Sequence, residues 1–485
     1  MKRLYVFVFY LGLPALMLAQ NAPAPASATV FTLEQCVQYA LGNSINIKNS
    51  FIDQEIAKAK VKETIGIGLP QIDGSIGINE NTKLQRFFST KLTSYNFTDK
   101  TIPYKEFLPT LQDADVIASP NFFQLPSNGT ATVSINQIIF NGSYLVGLQA
   151  SNAYKELSVR QTVQTKEQTV EQTTKAFYSA LINRERMALF TNNIARVDSL
   201  LRNTTALNKN GFAEEIDVDR IQVSLNNLIT ERDKFERLQA LSIELLKFQM
   251  NYPMDQPLEV VGDLSVLNSS VDLNGYLKDW DYKSRPDFLT LETSRKLQTL
   301  TIKNKYAAAM PSLNAFANFG YGTQSSTVGG IFTTNSNIDD MGVIGPDKWY
   351  GQGLIGINLS IPIFSGLQRT YQVQQEKLNL QKIDNSFKIL KSSIDLQIKQ
   401  SVISYQNSLQ ALESQKRNMT LAEKVARVTK IKYGQGVGSN LEVVDAESSL
   451  KESQINYYSA LYDVLVAKVD MDKAFGKLVQ NTPSK

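Results

Sequence analysis

The sequence contains no histidine, one cysteine and, beyond residue 20, no apolar run close to the ~18 residues that a transmembrane helix needs. Without histidine, Ser-His-Asp triads and imidazole metal sites are excluded. No glycine-rich phosphate loop opens a helix between strands either. Because Cys36 has no cysteine partner, no intramolecular disulfide can form. We therefore predict a protein that is not an enzyme and has no catalytic, cofactor or metal site.

Charge and the amino-terminal residues indicate where the protein acts. The 50 basic and 46 acidic residues give a net charge of +4, spread without blocks, so nucleic acid is not expected as a partner. Lys2 and Arg3 precede an apolar run that ends at Leu18, a pattern typical of a secretory signal peptide over residues 1–20. Cys36 lies too far along to be an acylated first residue, and we expect a buried thiol.

The sequence repeats one plan twice, as residues 21–274 and 275–485. Matching motifs recur at offsets of 241 (Pro70 and Pro311), 224 (Phe140 and Phe364) and 225 (Gly211 and Gly436). A period above 200 residues indicates a duplicated domain, because the repeats of a solenoid are far shorter.

Each repeat contains two segments in which apolar and small polar side chains alternate. Val133, Ile135 and Ile139, for example, are expected on one side of a strand and Ser134 and Asn136 on the other. Such segments fit a membrane β-barrel or a soluble, half-buried sheet; the signal peptide and the polar loops at 80–130 and 322–352 favour the barrel. The four strands are predicted at about 70–80, 130–140, 312–322 and 353–364.

Four strands cannot close a barrel by themselves. Bacterial barrels begin at roughly eight strands, and an open sheet edge in lipid leaves backbone groups without partners. Partner copies are therefore required, and three chains would supply twelve strands.

Long polar helices make up most of the remaining sequence. Helices at 143–207 and 367–432 would each extend roughly 95 Å, and apolar residues recur along both at heptad spacing. Each leads through a glycine-bearing turn into a second helix, at 215–250 and 441–475. A two-stranded coiled coil explains the heptads but not the attached strands. Helices at 32–66 and 275–309 are predicted to return to the strands, and 251–274 is predicted to form an equatorial segment.

Several short motifs of this sequence occur twice and in a fixed order. Together they resemble the motifs of the TolC family of outer-membrane efflux proteins, over nearly the whole mature chain. They are Phe31 to Leu41, Arg285-Pro286-Asp287, the Leu-Pro and Met-Pro starts of strands, the Phe-x-Gly ends of strands, and Tyr433-Gly434-Gln435-Gly436 leading into Leu441 to Ala446.

The resemblance implies an α+β membrane protein with an internal duplication. Three chains would form a twelve-stranded barrel in the outer membrane, continuous with a long periplasmic α-helical barrel of coiled-coil-like hairpins. It further implies a passive exit duct of a tripartite efflux or type I secretion system. The duct would couple through a periplasmic adaptor protein to an inner-membrane RND or ABC-type transporter.

The resemblance also assigns a periplasmic gate. Asp217, Glu442 and Asp445 match acidic rings that line the tip of similar proteins, and Tyr433 matches a tyrosine that helps to close it. In a trimer each acid would recur three times around the axis and attract cations. The alternative is local, because Ser439 to Glu442 fits a capping box and first-turn acids are favoured by the helix dipole.

The turns at Gly211-Phe212 and Gly436-Val437 are expected to dock the adaptor, although helix-ending glycines alone would explain the Gly residues. The family arginine near Tyr433 is replaced by Gly438, and Arg220 or Arg427 could take its role.

Other functions are less consistent with the sequence. A nutrient porin needs no long periplasmic helices, whereas a dedicated protein-secretion duct shares the whole architecture. A secreted trimeric coiled-coil adhesin fits the heptads and the signal peptide but not two internal pairs of strands.

Overall fold

The computed structural model describes residues 29–90, 116–119, 121, 123–262, 264, 273–278, 280–333, 335–336 and 348–478. The predicted signal peptide, 1–20, lies outside these residues. In chain order the elements are β1 (Thr29–Phe31), α1 (Leu33–Asn43), α2 (Ile45–Ile67), β2 (Gln71–Glu80), β3 (Phe87–Thr90), β4 (Val116–Ser119), β5 (Ser127–Asn141), α3 (Gly142–Lys209), α4 (Glu215–Met250), β6 (Leu258–Val260), α5 (Leu273–Lys278), α6 (Pro286–Ala307), β7 (Ser312–Ser325), α7 (Val328–Thr333), β8 (Asn335–Ser336), β9 (Lys348–Ser360), α8 (Gln368–Gly434) and α9 (Asn440–Ala474).

The chain forms two compact units, and neither coincides with a predicted repeat. One unit, the strand unit, consists of residues 52–160 and 290–388, and the other, the helical unit, of residues 1–51, 161–289 and 389–485. Each unit therefore combines segments of both halves of the sequence. The reason is that the halves pack against each other: β5 pairs with β7, and α9 packs against α4.

The strand unit is built on a five-stranded sheet with the order β2-β5-β7-β9-β8, and β3 and β4 form a separate antiparallel pair. Its four long strands are antiparallel, and β8 adds a two-residue parallel pair at the start of β9. In this single chain the apolar side of the sheet faces no core, since Ile76 is 81% exposed and Ile357 is 71% exposed. The opposite, polar side carries Asn136 and Asn358 as well as a hydrogen bond of 2.7 Å between the hydroxyls of Ser75 and Thr132.

A β-bulge interrupts the alternation that was predicted along β5. Ile135 pairs with Ala317 on the apolar side, but the register shifts between Ile138 and Phe140. Ile139 is the extra residue there, so it does not continue the row of Val133 and Ile135 as predicted, because a bulge places two residues opposite one.

The fourth strand is also displaced from the predicted 353–364. β9 covers Lys348–Ser360, and residues 361–364 lie outside it. Pro362 has no N–H to donate to a neighbouring strand, which explains why the pairing ends before it although the apolar alternation continues to Ile363.

The predicted return helices are interrupted. The stretch predicted as one helix at 275–309 consists of α5, a 3-10 turn at Tyr282–Ser284 and α6, because Pro286 favours the first position of a new helix. The stretch at 32–66 divides between α1 and α2 at Ser44. Among the described residues, no helix combines the length and the apolar character needed to cross a membrane.

The core of the helical unit follows the heptads. Val170 and Phe177 of α3, and Ile394 and Tyr405 of α8, are buried, and the other heptad residues of both helices are buried or half-buried. Separate clusters form where these helices meet α4, α9 and the short β1–β6 parallel pair. Cys36 lies in one of them, and burial raises its thiol pKa to about 12.

Candidate functional site

The two hairpin turns of the helical unit are built in the same way. Gly211 and Gly436 have φ angles of 79° and 77°, which favour glycine. The N–H of Phe212 donates to the carbonyl of Leu207 at 2.9 Å, and the N–H of Val437 donates to that of Lys432 at 3.1 Å. Both turns are therefore Schellman motifs, one in each repeat.

The residue after each of these glycines exposes an apolar side chain. Phe212 is 80% exposed and Val437 is 76% exposed. Since neither side chain enters the core of its hairpin, the two turns present the pair to a partner or to solvent.

The first turns of α4 and α9 lie together. Asp217 lies in the first turn of α4, where its carboxylate is 3.7 Å from the guanidinium of Arg220. Its backbone carbonyl accepts a hydrogen bond of 2.7 Å from the side-chain amide of Asn440 at the start of α9. The buried Asn440 thus joins the two hairpins through the backbone of Asp217, a contact that the sequence did not predict.

Glu442 and Asp445 are both exposed on α9. Ser439 caps this helix, since its hydroxyl accepts from the N–H of Glu442 at 3.2 Å. This is the first of the two bonds of a capping box; at Thr32 and Gln35 both are formed. The Glu442 carboxylate is therefore not engaged by the cap.

A cleft of about 220 Å³ brings Asp445 together with Arg220, the partner of Asp217. Glu447 and Lys451 of α9 also line it. Arg220 of α4 thus pairs with one predicted gate acid, Asp217, and lines the same cleft as another, Asp445 of the second hairpin.

Tyr433 links the ends of the two long helices. Its hydroxyl lies 3.1 Å from that of Thr204 on α3, and its ring packs against a cluster that contains Ile221 and Val443. A Cβ at Gly438 would lie 3.0 Å from the backbone nitrogen of Tyr433, so the family arginine could not occupy this position without a shift of the backbone.

Further polar contacts between the hairpins were missed by sequence reasoning. Arg196 and Glu447 form an ion pair of 3.2 Å, and the amide of Asn193 donates to Gln454 at 3.0 Å. The partners are more than 220 residues apart, and no local pattern signals such pairs. Across the described ranges, no cluster of acidic or cysteine side chains could hold a metal ion.

Comparisons with known proteins show which family and which fold the chain resembles. Residues 282–477 match the family of the outer membrane efflux protein. Over 459 residues the chain is 22% identical to the outer membrane protein TolC of Escherichia coli, with 92% of this chain and 82% of that protein covered. The chain is therefore similar to the TolC family of outer-membrane efflux proteins.

Solved structures of outer-membrane channels have the same fold. The channel CmeC of Campylobacter jejuni has a TM-score of 0.66 at 16% identity, with 92% of this chain and 85% of that chain covered. The open state of the MtrE channel of Neisseria gonorrhoeae has a TM-score of 0.68 at 15% identity, with 93% and 91% covered.

These relatives confirm four predictions made from the sequence. The likeness to the TolC family, the combination of strands with long helices and the outer-membrane location are as expected, and the homologues are channels and not enzymes. The roles of Asp217, Tyr433, Glu442 and Asp445 stay predictions.

Proposed function

We propose that this protein is a passive outer-membrane exit duct, assembled from three copies of the chain. The observation that supports it most directly is the antiparallel sheet with two unpaired edges. The outer edge of β2 and most of that of β9 have no partner strand within the described residues.

The number of copies follows from the geometry of barrels. The four long strands alternate in direction, so β2 of one chain would pair antiparallel with β9 of the next. Two copies would give eight strands, whose interior is filled by side chains. Three copies give twelve, which leave a passage lined by the polar side of the sheet. In lipid, each unsatisfied backbone group on an open edge would cost several kcal/mol.

The gate in this proposal is formed by the first turns of α4 and α9. Asp217 pairs with Arg220, Asp445 lines the same cleft as Arg220, and Glu442 is exposed three residues before Asp445 on α9. The hydrogen bonds Tyr433–Thr204 and Asn440–Asp217 hold the hairpins in the resting arrangement. Threefold repetition of the acids would place a ring of negative charge in the path of ions.

Single-channel recording in planar bilayers tests the acidic ring. The double substitution Asp217→Ala with Asp445→Ala is expected to lower the preference for cations and to change the conductance, because negative charge leaves the constriction. Asp219→Ala, which removes an exposed acid two residues from Asp217, is the matched control and should behave like the original protein. Unchanged conductance and selectivity in the double variant would exclude the acidic ring.

The same proposal includes a periplasmic adaptor that docks on the two turns. Phe212 and Val437 are the apolar side chains that they expose. The adaptor would connect the duct to an inner-membrane RND or ABC-type transporter in a tripartite system, the arrangement in which TolC-type channels work.

Replacing Phe212 and Val437 together by serine is expected to abolish copurification of the periplasmic adaptor and to abolish export. Conductance of the purified channel should persist. Asn210→Ser, in the same turn, is the control and should retain the adaptor. If the adaptor still binds after both apolar side chains are removed, it docks on another part of the protein.

A further inference from the structure

The apolar side of the sheet changes character at the end of the strands nearest α7. Along β7 this side runs from Leu313 through Phe319 to Tyr321, and its next two residues are Thr323 and Ser325. Ser127 of β5 pairs with Ser325, so hydroxyls also occupy the neighbouring strand. An apolar surface built from strands alone therefore ends at Tyr321.

These hydroxyls are covered, although the apolar residues beside them are exposed. Ser127 and Ser325 are 0% and 4% exposed, whereas Phe319 is 46% exposed. The hydroxyls of Ser127 and Thr323 have no hydrogen-bond partner in the part of the chain that the structure describes. Covering an unpaired hydroxyl costs ~1–3 kcal/mol, so hydrogen bonding of these groups does not hold the cover in place.

The cover is the short helix α7 together with Trp349. Ile331 of α7 is fully buried, and the indole N–H of Trp349 donates to its carbonyl at 3.3 Å. At Gly129, which pairs with Thr323, a Cβ would lie 2.8 Å from Trp349 and 3.0 Å from Ile331. Both side chains therefore lie directly over the apolar side of the sheet at Gly129, and glycine is needed there for their close approach.

α7 also exposes an apolar side chain of its own. Phe332 is 72% exposed next to the buried Ile331. The helix thus replaces a row of hydroxyls by an aromatic side chain on the side of the sheet that carries Ile355 and Ile357. In water this exchange would be unfavourable, because it leaves hydroxyls unpaired and exposes a phenylalanine.

The height of an outer-membrane barrel explains why an apolar cover over these hydroxyls would be favourable. From Leu313 to Tyr321 the strand rises ~27 Å, which at a tilt of ~40° gives an apolar band ~21 Å tall. The lipid-facing band of such barrels is ~25 Å tall and is bordered by aromatic residues. A further two residues of strand are needed, and these are the residues that α7 covers.

We propose that α7 and Trp349 form the outer border of the lipid-facing surface, with Phe332 inserted at the boundary between acyl chains and headgroups of the outer leaflet. This inference rests on the proposed function, since it requires the apolar side of the sheet to face lipid. Lipid is the favoured occupant because α7 and Trp349 lie over the end of the side that is apolar along the rest of the strands, and Phe332 is exposed there.

Spin labelling of single cysteines tests the proposal in reconstituted liposomes. With Cys36→Ala as background, labels are placed by Phe332→Cys on α7, Ile357→Cys within the apolar side and Phe212→Cys at a hairpin turn. Accessibility to oxygen reports lipid, accessibility to a water-soluble nickel chelate reports water, and protection from both reports protein contact. The native Trp349, in a Trp280→Phe variant, is a second probe through quenching by brominated lipid and leaves α7 unaltered.

The expected result is greater exposure to oxygen than to nickel for the labels at 332 and 357, and the reverse at 212, together with quenching of Trp349. A label at 332 that is reached by nickel or protected from both reagents, while the label at 357 reports lipid, would overturn the role of α7 and leave the duct intact. If the label at 357 also reports water, the membrane-spanning sheet itself is refuted.

Discussion

At the scale of single residues, Glu167 of α3 is the charge that the fold accommodates least well. Its side chain is buried, and its Oε1 atom has no partner among the described residues. Burial raises the pKa of this carboxyl to about 7 against the attraction of Arg285 and Lys473. The Arg285 guanidinium is already bound to Asp287 at 2.7 Å, so it neutralises Glu167 only in part.

Replacing Glu167 by glutamine is expected to stabilise the protein at alkaline pH. Because the pKa of Glu167 is raised in the folded state, its contribution to stability is fully present below its ordinary pKa of 4.5. That contribution is lost as the pH rises through about 7. Glu167→Gln removes this loss, so the thermal midpoint at pH 8 should rise by the equivalent of ~1–3 kcal/mol and change little at pH 4. Thermal unfolding in detergent across this range measures it.

Glu171, four residues along α3, provides the opposite control. Burial acts to raise the pKa of its carboxyl, but hydrogen bonds from Lys175 and Lys473 lower it overall. Its contribution is present above its ordinary pKa and is lost in acid, so Glu171→Gln should destabilise the protein at pH 8. Equal shifts for the two variants would refute the assignment of Glu167.

At the scale of elements, two glycines near the end of α8 differ in backbone conformation and therefore in their role in the hairpin turn. Gly434 ends α8, and Gly436 follows two residues later in the left-handed region at φ 77°. A Cβ would meet no atom within 4 Å at either position. A Cβ atom would therefore have enough space at both positions, and only the backbone conformation distinguishes the two glycines.

Gly436→Ala is expected to loosen the turn, and Gly434→Ala to tighten it. The left-handed conformation costs a residue with a Cβ ~1–2 kcal/mol. In a right-handed helical position, alanine is favoured over glycine by up to ~1 kcal/mol. Hydrogen exchange of the amides at 432–440 should therefore become faster in the first variant and slower in the second. Similar protection in both would contradict the Schellman geometry as the basis of the turn.

At the scale of the whole molecule, burial is unevenly distributed. The clusters of buried apolar residues lie in the helical unit, whereas the strand unit exposes Ile76, Ile355 and Ile357 on one side of its sheet. A chain with so large an exposed apolar surface has not completed its folding as a single copy in water. In the proposed duct, lipid on the apolar side and further copies at the edges would supply what is missing.

Lysine substitutions at two neighbouring residues of β9 distinguish the sides of the sheet. Ile357→Lys places a charge on the apolar side and is expected to cost ~2–4 kcal/mol if that side faces the middle of the bilayer. Asn358→Lys places the same charge on the polar side and should be tolerated. The yield of trimer that resists dissociation in detergent without heating measures both; equal yields would contradict the assignment of lipid to the apolar side.

Prediction from the sequence was most successful where the pattern is periodic. The heptads of α3 and α8 fall on buried or half-buried residues because a helix repeats its environment every 3.6 residues. It failed where one residue interrupts a pattern, as at the bulge of Ile139 and at Pro362. The contacts Tyr433–Thr204 and Asn440–Asp217 could not be predicted, because they join residues more than 220 positions apart.

The sequence by itself determined the duplication, the two kinds of element and the family resemblance, because periodicity and motif order are local properties of the chain. Only the tertiary structure decided that Arg220 pairs with Asp217 beside the cleft of Asp445, that a side chain at Gly438 would crowd the backbone of Tyr433, and that α7 covers the hydroxyl end of the sheet. Those features depend on distances between segments that are far apart in the chain. Such distances are fixed when the two halves pack against each other.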